Sequence, residues 1–139
     1  MKDLNLVSLL NIFEKDDLQI YKDHEIEDIF FNERVIFGTV IRSIENFYLL
    51  DKTSREGSFR DRYEVIRDQV QLKYFNKYFY LLSTIDNPST DTIDPTIKDL
   101  GVERVKESLS SFLNFFISTE DYLKCSKIKE FLIYIDNSY

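Results

Sequence analysis

The chain has 139 residues, 43% of them hydrophobic and 15% aromatic, with a net charge of −7. That length predicts one domain, residues 1–139, with enough buried surface for a real core, and the apolar content excludes a disordered chain. The negative charge argues against a general nucleic-acid binder, whose affinity needs clustered Lys and Arg.

In chain order, Leu6, Leu9, Leu10 and Phe13 predict a first short helix, ended by the acidic cluster Glu14, Asp16 and Asp17. Ile26, Ile29 and Phe30 continue a helical spacing, whereas Leu18-Gln19-Ile20 also suits an extended strand, so a small β-hairpin within residues 18–37 is the alternative there. Residues 34–50 read as a helix through Ile36, Val40, Ile44 and Phe47, with Phe37, Ile41 and Tyr48 widening the stripe. Gly38 inside it costs about 1 kcal/mol relative to alanine, which calls for close packing or for a helix start after it. Lys52 to Ser58 reads as a polar connection. From Phe59 to Leu82 runs the longest predicted helix, with one stripe at Tyr63, Ile66, Val70, Tyr74, Tyr78 and Leu81 and a second at Val65, Leu72, Phe75, Phe79 and Leu82. A helix apolar on two faces is packed from two sides. It is therefore expected at the centre, between the acidic N-terminal helices of residues 1–51 and the C-terminal third.

Asn87-Pro88-Ser89-Thr90 marks a turn-rich loop, after which Asp94 and Pro95 read as N-cap and first residue of a short helix that stops at Gly101. Val102, Val105, Leu109, Phe112 and Phe116 then step by three and four along one helix face. Ser118, with Asp121 three residues on, has the spacing of a capping box, and Tyr122, Cys125, Ile128, Leu132 and Ile135 carry a second face. A link this short forces the two helices antiparallel. The expected fold is all-α: five or six helices around a central amphipathic helix (about 59–84), with a C-terminal antiparallel hairpin (about 102–136).

Candidate chemistry is sparse. His24 lies among Asp23, Glu25, Glu27 and Asp28, but one histidine cannot make the paired-His metal motifs, and the segment reads as a solvated acidic helix start. Cys125 is the sole cysteine, which excludes an internal disulfide and suits a reducing compartment; it falls on a buried stripe and reads as core despite Lys124, Lys127 and Lys129 nearby. Arg55, Arg60, Arg62 and Arg67 interleave with aromatics in a pattern that could contact nucleic acid, yet Glu56, Asp61, Glu64 and Asp68 alternate with them at ion-pairing spacings. No phosphate-binding loop, nucleophile elbow or metal set occurs, so no catalytic residue, cofactor or metal is assigned and the protein is expected not to be an enzyme. The start of the chain lacks the apolar core of a signal peptide, and no run reaches the ~20 residues of a membrane span, so a soluble protein of the cytoplasm or of a virion is expected.

Charge is distributed unevenly. Residues 1–33 carry nine acids against three bases, residues 34–80 six against nine, and residues 81–139 ten against six. An acidic first third suits a basic partner, or the basic middle of another copy. The absence of alanine and tryptophan, beside abundant Ile, Phe, Tyr, Asn, Asp and Lys, points to an AT-biased genome such as that of a bacteriophage.

The run from Asp121 to Leu132 resembles the UVR motif, the helical hairpin of the excision-repair proteins UvrB and UvrC. Asp121, Tyr122, Lys124, Cys125, Ser126, Ile128, Lys129, Glu130 and Leu132 fall in its register, while Leu123, Lys127 and Lys129 depart from its usual acid, Glu and Arg. The resemblance implies a protein-docking hairpin and no chemistry. Its polar face, Asp121, Lys124, Lys127, Lys129 and Glu130, becomes the expected interaction surface. The expected function is that of a non-enzymatic adaptor or assembly protein with a protein partner or a second copy. The alternatives are an accessory factor of DNA repair or replication that docks through this hairpin, and an inhibitor whose acidic first third engages a host or defence protein.

Overall fold

The computed structural model describes residues 32–139, which form five α-helices and no strand among the described residues. They are α1 (Glu33–Glu56), α2 (Arg60–Ser83), α3 (Thr90–Leu100), α4 (Val102–Ser118) and α5 (Tyr122–Ser138). The all-α expectation holds. The predicted first helix, the alternative strands up to residue 31 and His24 lie outside the described residues.

The Asn32 side chain caps α1 by accepting from the Arg34 N–H at 2.9 Å. Ile36, Phe37, Val40, Ile41, Ile44 and Phe47 form one buried stripe along it. This helix is the hub: it packs against α2, α3 and α4, and its Phe37 ring stacks on Phe131 of α5 at 5.7 Å. At Gly38 an added Cβ would lie 2.6 Å from an Arg42 nitrogen and 3.0 Å from Thr96 Oγ1, so the glycine marks the close approach of α1 to α3. The expected polar connection at 52–58 is largely helical, because α1 runs on to Glu56 and only residues 57–59 make the turn.

The placement of the long helix at the centre is corrected in one respect. In α2 the C-terminal half lies between α1 and α4, where Phe75 touches Phe47 at 5.1 Å and Phe112 at 5.3 Å. The N-terminal half has no buried residue before Gln71. Its second apolar stripe, at Val65 and Leu72, faces outward.

The helix expected to begin at Asp94 begins a turn earlier. Ser89 caps α3, its hydroxyl accepting from the Thr92 N–H at 3.2 Å, and Pro95 lies inside the helix. Gly101, with φ of +91°, ends α3 by donating to the Ile97 carbonyl and leads at once into α4.

The antiparallel hairpin of α4 and α5 is present. Lys106 near its start and Asp136 near its end pair at 2.8 Å. Val105, Leu109, Phe112 and Phe116 face Cys125, Ile128, Phe131 and Ile135 in the core. Two details differ from expectation. Tyr122 is exposed and Leu132 only partly buried, because α5 turns Phe131 towards α1. The expected capping box at Ser118 does not form: Ser118 belongs to α4 and its hydroxyl donates back to the Phe115 carbonyl. The reversal is instead a Schellman motif, with Glu120 N–H bonded to the Ile117 carbonyl and Asp121 N–H to the Phe116 carbonyl. Glu120 takes the left-handed position at φ +60°.

Candidate interaction surface

Beside the turn at residues 57–59, the C-terminal half of α1 and the N-terminal half of α2 form an arm that the other described residues cover little. Sequence explains why the two halves stay together. Asp51, only 7% exposed, sits on the inner face of α1. Tyr63 Oη donates to its Oδ1 at 2.5 Å, Arg67 Nε to the same oxygen at 2.9 Å, and Arg67 Nη2 to Oδ2 at 3.4 Å. Arg55 adds an ion pair at 3.5 Å and also reaches Glu64 at 3.6 Å. Burial pushes the Asp51 carboxyl up, but hydrogen bonds from Arg67 and Tyr63 and the charges of Arg67 and Arg55 outweigh it and hold the group below its ordinary value. Burial, then the bond to Asp51, pushes the Tyr63 phenol up to about 12. Asp51 was not singled out by its sequence. The expected helix ended at residue 50, which hid both its i,i+4 relation to Arg55 and its place opposite Tyr63 and Arg67.

The outer side of the arm exposes large apolar side chains among charged ones. Phe59 is 70% exposed and Val65 82%, with Ile66 and Leu72 close to half exposed. Phe59, Tyr63 and Ile66 line an apolar cleft of about 400 Å³ against Thr53 and Gly57. Arg62 lies at its rim, 5.8 Å from the centre of the Phe59 ring.

The four arginines considered for nucleic acid are thus divided. Arg67 and Arg55 are engaged by Asp51, while Arg60 and Arg62 are exposed, Arg60 beside Asp61 at 3.8 Å. They do not form a continuous cationic track. The residues expected on the docking face of the hairpin are divided too. Lys124 pairs with Asp121 and lies 5.4 Å from the centre of the Phe116 ring. Lys127 donates to the Asp86 carbonyl at 2.7 Å, which pins the loop after α2 to α5. Lys129 and Glu130 are exposed, Glu130 standing 3.7 Å from the Lys127 ammonium. Cys125 is buried against the hairpin core, the setting expected of an inert packing residue.

No protein-family model, curated protein or solved structure matches the chain. Among the described residues no group of three or more His, Cys, Asp and Glu side chains is placed to hold a metal ion, and no helix is long and apolar enough to cross a membrane.

Proposed function

We propose that this is a non-enzymatic interaction or assembly protein that works by presenting a helical surface, and that its working surface is the outer side of the α1–α2 arm. The observation that carries this reading is the cluster of Phe59, Val65, Ile66 and Leu72 at one exposed half-helix. Scattered single apolar residues are normal on a protein surface, whereas Phe59 and Ile66 lining an apolar cleft, with Val65 and Leu72 exposed on the adjoining face of the same half-helix, mark a place where another surface is accommodated. The Asp51 cluster supports it as well, since its hydrogen bonds set the orientation of the half-helix on α1.

A docking factor of DNA repair or replication would use the α4–α5 hairpin instead. Of the polar face expected there, Asp121, Lys124 and Lys127 are held by contacts within the fold and Glu130 lies beside Lys127, which favours the arm. A photo-crosslinking side chain at Val65 and, separately, at Lys129 of the full chain tests this in extract of the source cells. Crosslinks concentrated at position 65 are expected. Labelling at Lys129 alone, or equally weak labelling at both, overturns the assignment.

A further inference from the structure

Resting on the assignment of the arm as the working surface, the charge pattern of α2 identifies one occupant. Asp61, Arg62, Val65, Asp68, Gln69 and Leu72 recur at three- and four-residue steps and so share one helix face. That face is exposed throughout, with Asp61 and Asp68 almost fully so. Arg62 and Asp68 stand three residues before and three residues after Val65. A two-fold axis through Val65 therefore brings Arg62 of each copy to Asp68 of the other, Asp61 to Gln69, and Val65 to Val65. Leu72 arrives at the turn that carries Phe59, at the mouth of the apolar cleft. Asp68 is bonded to Arg67 through Oδ1, and among the described residues no donor reaches its second oxygen.

We propose that two copies of this chain pair through this face, the two α2 helices running antiparallel about Val65. The contact is isologous and closes on itself, so it yields a dimer and not a filament. Orientation follows from charge, because a parallel arrangement would set Arg62 against Arg62 and Asp68 against Asp68. The two-fold ion pairs and the apolar ends occupy the half-helix that, among the described residues, packs chiefly on α1.

Sedimentation equilibrium of the full chain over a concentration series tests this directly. A reversible monomer–dimer equilibrium is expected. Val65→Asp, which places two like charges at the axis, and Arg62→Glu, which turns both two-fold ion pairs into like-charge contacts, should each weaken it by about tenfold or more. Asp68→Arg should do the same. Mixing the Arg62→Glu and Asp68→Arg chains should restore association, since both two-fold contacts between positions 62 and 68 then join opposite charges again. All three positions are exposed or paired only with neighbours, so circular-dichroism melts should show each variant folded like the parent. A strictly monomeric parent overturns the pairing, as does a dimer indifferent to these substitutions. If the parent is monomeric and position 65 still crosslinks to a different protein, self-pairing fails while the interaction reading stands; if neither occurs, both fail.

Discussion

Asp51 carries its charge at a site nearly closed to water, and the side chains around it make that tolerable. Removing one partner of such a pair leaves an uncompensated buried charge at about 3–5 kcal/mol, so Arg67→Met should cost about 2–3 kcal/mol here, where Tyr63 and Arg55 remain. Asp51→Leu combined with Arg67→Met should recover most of that loss, and urea unfolding of the single and double variants beside the parent measures it. The pH dependence follows from the same group. Its folded carboxyl titrates below the ordinary 3.8, so the unfolded chain binds more protons in that range. The stabilisation is therefore complete above the ordinary value and is lost as pH falls from there through the lower folded value. Asp51→Asn should flatten the acid limb of the stability curve from about the ordinary carboxylate value downward. Tyr78 presents the opposite situation. Its side chain is fully buried, its hydroxyl finds no hydrogen-bond partner among the described residues, and burial followed by the nearby Tyr74 pushes its titration far up. Deleting an unpaired buried hydroxyl relieves a desolvation penalty, so Tyr78→Phe should raise stability by about 1 kcal/mol in the same assay, and a comparable loss would show that the hydroxyl is satisfied.

At the scale of elements, local periodicity specifies a face only to within about one residue. In α5 the spacings Cys125, Ile128, Leu132, Ile135 and Cys125, Ile128, Phe131, Ile135 fit a helix equally well. What decides between them is the Phe37 ring on α1, more than 90 residues away, which stacks on Phe131. Long-range contacts of this kind leave no local mark in the sequence. Phe131→Ala should accordingly cost about 3–5 kcal/mol, and Leu132→Ala about half as much, since Leu132 is only partly buried. Equal losses on thermal melting would restore Leu132 to the core. Helix ends were legible where a glycine with positive φ stops the chain, as at Gly101, and not where a glutamate does so. Nothing in Thr119-Glu120-Asp121 announces a left-handed residue, and Glu120 holds that conformation at a cost of about 1–2 kcal/mol. Glu120→Gly removes the strain and increases the entropy of the unfolded chain, for an expected net gain of about 0.5–1 kcal/mol. A lower melting temperature would mean that the Glu120 side chain has a role of its own.

For the whole molecule, the all-α class and the C-terminal hairpin were legible because their apolar stripes repeat without interruption. The position of α2 was legible only in half, for a physical reason: an apolar stripe records that a face is to be covered and not whether the cover comes from the same chain. Phe75, Tyr78 and Leu82 are covered by the fold, whereas Val65 and Leu72, which read identically, are not. This division predicts uneven local stability. Among the described residues the half-helix before Gln71 rests mainly on α1 and is held chiefly by Tyr63 and Arg67 on Asp51, while the second half is enclosed by the aromatic cluster around Phe75. In the monomer, at low concentration, amides of residues 60–68 should therefore exchange with solvent through a local opening, well before those of residues 74–82. Arg67→Met should accelerate exchange in residues 48–68 and leave the α4–α5 hairpin unchanged, because the hydrogen bonds and ion pairs that join Asp51, Tyr63 and Arg67 stay within α1 and α2. Hydrogen–deuterium exchange read by mass spectrometry resolves these segments. Uniform acceleration along the chain would show instead that the arm and the hairpin open as one unit, and that the Asp51 cluster stabilises the whole fold and not its exposed arm.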